Sequence, residues 1–239
     1  LERAGRAVLR YDDEAKKVVD SQSTLHPLYL DEQGEEPKMK ALVEKWRLEV
    51  GASLDVVVAT ATAPLTRDRF KDSSMGSWMT DCLRSWTKTD VAFQNSGGIR
   101  KDFAAGPVRL RDVFELMPFD NHVTTLYLKG SQLKEVFEHG VGKAPGLLQM
   151  SGAKVTYDPN APDGARVTGV EVRGRALEPE TLYSVTAADF IVMGGDGFNP
   201  FKAGLEEAPH ETLIRDVLSW CAAKSGTLTP APSGRYKRL

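Results

Sequence analysis

Apolar and polar positions fall into two textures that meet near residue 54. Before it, residues 5–12 and 17–20 read as two short strands with acidic residues between them. Residues 21–35 are polar and turn-rich and predict a connection. Met39, Leu42, Val43 and Trp46 then follow one helical face, predicting a helix over residues 37–50 with Pro37 in its first turn and Gly51 as its stop. After it, strands and helices alternate. Residues 54–60 are rich in β-branched residues and predict a strand. Met75, Trp78, Met79, Cys82, Leu83 and Trp86 form a helical stripe with Ser73 or Ser74 as N-cap.

Farther on, the pattern predicts strands over residues 90–94, 123–128, 154–158, 166–173 and 182–186. It predicts helices over residues 110–116, 131–137 and 211–222. The mixture implies an α/β (α+β) fold, a mixed β-sheet with flanking helices.

Composition narrows the class. The chain has 239 residues, 41% hydrophobic and 27% charged, an ordinary globular balance for one large domain or two small ones. Lys and Arg (31) nearly cancel Asp and Glu (33), which argues against a broad nucleic-acid surface but leaves room for a local basic site. No apolar run approaches the roughly 18 residues of a membrane span, and the opening residues lack the pattern of a signal peptide. Cys82 and Cys221 lie on apolar helix faces and are expected to be buried free thiols. Their spacing gives no support to a disulfide and leaves the redox compartment open.

Four segments carry more glycine and polar character than a core needs. In residues 95–100 (NSGGIR), paired glycines let the backbone turn tightly and approach a ligand, and Arg100 offers a planar fork of donors to phosphate or carboxylate. The bland reading is a turn with a surface arginine. In residues 193–198 (MGGDGF), three glycines surround Asp196, which suits vicinal hydroxyls or, equally, a turn-closing role; spaced calcium ligands are missing. Phe119, in residues 118–121 (PFDN), and Phe190 are either core plugs or exposed stacking faces. Residues 67–71 (RDRFK) place clustered cations just before a helix start.

The order of NSGGIR (95–100), MPFDN (117–121), LKGSQL (128–133) and ADFIVMGGDGF (188–198) resembles the C-terminal domain of the 5'-nucleotidase family, over roughly residues 55–239. The resemblance implies that Phe119 and Phe190 clamp a nucleobase, Asn95 hydrogen-bonds it, and Gly98 lies in the turn that approaches it. It further implies that Asp196 binds ribose hydroxyls, Arg100 reaches ribose and phosphate, and Arg69 contacts phosphate. Two departures stand out. Lys71 falls where a second arginine is common, and the family's Asn-Leu-Gly-Asn run reads Ser74-Met75-Gly76-Ser77.

The family's catalytic metallophosphatase domain is N-terminal. It binds two divalent metals through D-x-H, G-N-H-[DE] and H-x-H motifs. This chain has four histidines (His26, His122, His139 and His210), no H-x-H and no G-N-H-[DE], and a single D-x-H at 120–122 that reads as chance. The expectation is therefore a fragment without catalytic or metal-binding residues. Residues 1–35 would be a remnant of the N-terminal domain and linker, 36–52 an interdomain helix and 53–239 the substrate-binding domain. The parent would be a periplasmic or extracellular nucleotide phosphoesterase, and the partners would be a nucleotide or nucleoside and the N-terminal domain. Alternatives are a stand-alone nucleotide-binding module, a decayed domain used for dimerisation, or a parent acting as a cyclic phosphodiesterase or UDP-sugar hydrolase.

Overall fold

The computed structural model describes residues 3–29, 34–142, 145–231 and 234–239. The chain divides into two compact units, residues 1–52 and 53–239. The first contains a hairpin of β1 (Arg3–Asp12) and β2 (Lys17–Pro27), followed by α1 (Pro37–Leu54), which runs on into the second unit. β2 continues seven residues beyond the predicted strand, through part of the expected connection. Almost every hairpin side chain is exposed, so no buried face imposes the alternation by which a strand is recognised. Gly51 does not stop α1: the helix continues to Leu54, and Gly51 is its one buried residue. The stretch 30–33 of the expected connection lies outside the described residues.

The second unit contains three sheets. β3 (Val57–Ala61) lies between β13 (Thr227–Leu228) and β5 (Gly106–Arg109). β10 (Arg175–Ala176), β9 (Val167–Val172), β8 (Ala153–Tyr157) and β14 (Tyr236–Arg238) form the second, in that order. The third has the order β12 (Leu205–Leu213), β6 (His122–Lys129), β11 (Leu182–Ala188), β4 (Val91–Asn95) and β7 (Leu148–Ser151). In this mixed sheet β4 and β11 run parallel while β6 and β7 flank them antiparallel.

The helices α2 (Ser74–Thr87), α3 (Leu110–Leu116), α4 (Gly130–Gly142), α5 (Asp189–Val192) and α6 (Ile214–Ser225) complete the unit, so the α/β class holds. α2 begins where Ser73 accepts from the Gly76 amide at 3.0 Å. Its stripe from Met75 to Leu83 enters the core, and it ends where Lys88 adopts a left-handed backbone. α6 starts three residues later than predicted because residues 211–213 finish β12.

Cys82 of α2 and Cys221 of α6 form a disulfide, which corrects the expectation of free thiols. The two cysteines are 139 residues apart in sequence, yet their Cα atoms lie 6.0 Å apart. Two apolar helix faces meet there, a proximity that spacing along the chain does not encode.

Candidate functional site

The site follows from the parallel pair at the centre of the mixed sheet. β4 and β11 end at the same edge, and β6 starts there. The carboxyl edge of parallel strands is where open α/β sheets leave a crevice for ligands. β4 runs into Asn95 and a single 3₁₀ turn, Ser96–Gly98. β11 runs into α5, which carries Phe190, and then into the turn Gly195–Gly197. Phe119 and Asp120 lie just ahead of β6.

All seven residues singled out in the sequence line one cleft of about 690 Å³: Arg69, Asn95, Gly98, Arg100, Phe119, Phe190 and Asp196. Phe119 and Phe190 are each 41% exposed, in contrast to Phe93, Phe137, Phe198 and Phe201, which are buried. Each therefore keeps ring surface available to a planar ligand. The backbone around them is tightly set. Asp189 Oδ1 accepts from the Phe190 amide at 2.7 Å and from Asn121 Nδ2 at 2.8 Å, which ties the two phenylalanine loops together. Arg215 donates to the Phe119 carbonyl at 3.3 Å and pairs with Asp120 at 2.6 Å.

Asp196 lies in a left-handed backbone at φ 53°, between Gly194 and Gly197 at φ 91° and 82°. Three left-handed residues in four are what the glycines of this loop permit. His139 donates from Nε2 to the Asp196 carbonyl at 2.8 Å and packs edge-on against Phe198 at 4.5 Å between ring centres. The Asp196 carboxylate turns the other way and accepts from Asn95 Nδ2 at 2.7 Å.

On the cationic side, Arg69 Nε donates to the Pro145 carbonyl at 2.9 Å and Arg100 Nη1 to the Gly97 carbonyl at 3.1 Å. Each guanidinium has further donors for an anion. Arg67 lies outside the cleft lining and donates to the Ile99 and Arg100 carbonyls at 3.2 and 2.8 Å, bracing the strand exit. The altered helix start is satisfied by Gln149, from β7. Gln149 Oε1 accepts from the Ser73 amide at 3.0 Å, and Gln149 Nε2 donates to the Lys71 carbonyl at 2.9 Å. A Cβ at Gly76 would collide with the Gln149 side chain, at Cγ as well as at Oε1, so the glycine of this run leaves room for that side chain.

Sequence reasoning missed Gln149, His139 and Arg215, which hold the site from behind. Their partners lie at least 57 residues away, so no local pattern announces them. Among the described residues no three His, Cys, Asp or Glu side chains assemble into a metal site. In the D-x-H run, Asp120 pairs with Arg215 at 2.6 Å, and His122 lies 3.5 Å from Asp189.

A larger cavity of about 1020 Å³ lies against α4 and β9. Its described lining offers no exposed phenylalanine, tyrosine or tryptophan face. Glu138 in its wall is already satisfied by the Arg166 and Val167 amides, and Arg166 pairs with Asp163. The smaller cleft is the better-equipped site.

Fold and cleft together define a domain that presents paired aromatic faces, a carboxylate and arginines at the carboxyl edge of a mixed sheet. The chain belongs to the 5'-nucleotidase C-terminal domain family, whose model matches residues 51–203. It is 31% identical to a 5'-nucleotidase of Bos taurus over 261 residues, covering 94% of this chain and 44% of the relative. It is 29% identical to an apyrase of Tabanus yao over 241 residues, covering 88% of this chain and 43% of the relative. The crystal structure of a 5'-nucleotidase precursor from Thermus thermophilus superposes with a TM-score of 0.81 at 26% identity. That match covers all of this chain and 50% of the other. The chain thus spans about half the length of the relatives it matches.

Proposed function

We propose that this chain is the nucleotide-recognition part of a 5'-nucleotidase-type phosphoesterase, one that converts a nucleotide to nucleoside and phosphate. The observation that carries the reading is the pair of half-exposed phenylalanines, Phe119 and Phe190, in one cleft with Asp196, Asn95, Arg69 and Arg100. In this reading the two rings take the base between them and Asn95 hydrogen-bonds its edge. Asp196 accepts from the ribose hydroxyls, Arg100 reaches ribose and phosphate, and Arg69 meets the phosphate. Gly98 keeps the turn clear. Residues 1–35 and 36–52 then belong to the junction with an N-terminal metallophosphatase domain, which supplies the two divalent metals and the hydrolysis. The chain by itself binds without hydrolysing. The Cys82–Cys221 disulfide supports a periplasmic or extracellular setting, because such bonds persist in oxidising compartments.

Two stacking contacts at about 1–3 kcal/mol each, less the cost of association, put the affinity of the isolated chain between about millimolar and micromolar. Calorimetry with adenosine and AMP tests this. Phe190→Ala is expected to weaken both by about tenfold or more. Arg69→Ala should weaken AMP and leave adenosine nearly unchanged. Equal binding by wild type and Phe190→Ala would overturn the clamp. Metal-dependent phosphate release by the pure chain would overturn the division of labour.

A further inference from the structure

Gln94 is an amide in the middle of a buried strand. It follows Val91, Ala92 and Phe93, and like them it is fully buried. Its Nε2 donates to Asn95 Oδ1 at 3.0 Å and to the Asn95 carbonyl at 3.2 Å. Its Oε1 has no hydrogen-bond partner among the described residues. A buried, unpaired amide oxygen is unfavourable, and an apolar residue of the same size avoids that cost. The donor end of Gln94 is therefore the part the structure uses.

Its use lies in the direction of the next amide. A carboxylate accepts and does not donate, so Asp196 takes the Nδ2 end of Asn95, at 2.7 Å. That leaves Oδ1 facing the buried side, where Gln94 meets it with a donor. The relay Gln94 to Asn95 to Asp196 has one consistent polarity, and the second N–H of Asn95 remains unused by it. Gly98 completes the arrangement. A Cβ there would come within 2.6 Å of Gln94 Nε2 and 2.9 Å of Asn95 Oδ1, so the glycine leaves room for the two amides.

We propose that Gln94 is a positioning residue that holds the Asn95 amide in one orientation, so that Asn95 faces the ligand as a donor and at the same time anchors Asp196. The proposal rests on the reading of Asn95 and Asp196 as nucleoside contacts, and it adds to that reading a residue that lines no part of the cleft.

The test uses the full chain with adenosine as probe, in wild type, Gln94→Met, Asn95→Ala and the double variant. Gln94→Met is expected to fold, to weaken adenosine about three- to tenfold, and to add nothing to the loss caused by Asn95→Ala. Fully additive losses, or wild-type affinity in Gln94→Met, would overturn it. A ligand-free arm follows the Asn95 side-chain amide resonances in ¹⁵N NMR, identified by their loss in Asn95→Ala. They should move in Gln94→Met, whereas a residue that only fills the core would leave them in place. Should Gln94→Met fail to fold, Gly98→Ala disturbs the same amide pair, and it must shift the same resonances. If Asn95→Ala binds adenosine like wild type, the nucleoside reading of Asn95 fails, and the NMR arm still decides the role of Gln94.

Discussion

At the scale of single residues, the shape of the cleft depends on small groups that stand behind the residues lining it. Gly195 is an example. A Cβ there would meet Phe190 Cζ at 2.5 Å and the Phe190 carbonyl at the same distance, so an alanine must displace the ring or its backbone. Gly195→Ala is therefore expected to reproduce the nucleoside-binding loss of Phe190→Ala, about tenfold, while the core stays intact. Calorimetry together with thermal unfolding checks this. Binding at wild-type strength would show that the ring has room to move and that its position is not set by Gly195. His139 holds the same loop through the Asp196 carbonyl, while Asn95 holds the Asp196 carboxylate.

Among elements, the strongest covalent constraint is the disulfide between α2 and α6. Both helices bury one apolar face, and Cys82 and Cys221 are themselves buried. Closing a loop of this length restricts the unfolded chain and contributes about 2–5 kcal/mol. Replacing both cysteines with alanine is expected to lower Tm by about 5–15 °C and leave the cleft, which neither sulfur lines, able to bind. Differential scanning calorimetry reads the first effect and adenosine titration the second. An unchanged Tm, or two titratable thiols in the unreduced native protein, would contradict the bond. The junction of β4 with the turn Ser96–Gly98 carries the chain from the sheet to Asn95 and Arg100 in the cleft, at the edge where β11 leads to Phe190.

For the whole molecule, the two units differ in what they bury. The hairpin of β1 and β2 and the helix α1 keep nearly all described side chains exposed, including Leu9, Tyr11, Leu25, Leu42 and Trp46. An isolated two-stranded hairpin is marginal in water. Residues 53–239 contain the core of Phe93, Phe137, Leu83 and Leu218 and the entire cleft. The piece 53–239 is accordingly expected to unfold cooperatively and to bind adenosine within about twofold of the full chain. Circular dichroism and calorimetry on that piece decide the matter. A binding loss of tenfold or more would mean that residues 1–52 take part in recognition.

How much of this was legible in the sequence differs by kind of feature. Elements with a buried face, such as α2, α3 and β6, were readable because burial imposes a period on side chains. β5, β7, β10, β13 and β14 were not, because two to four residues are too few to display one. β2 was read short because it buries nothing. The seven cleft residues were legible as ordered motifs, since each lies in a glycine-rich or polar run that a core does not require. The sequence by itself determined the class of fold, the family and the seven residues that line one cleft, for these follow from local composition and order. Only the tertiary structure decided what stands behind them: Gln94 against Asn95, Gln149 beneath Ser73, His139 on the Asp196 carbonyl, and Cys82 joined to Cys221. The last three pairings depend on which strands and helices become neighbours, and the first, between consecutive residues, on which end of each amide faces the other; no spacing along a chain specifies either.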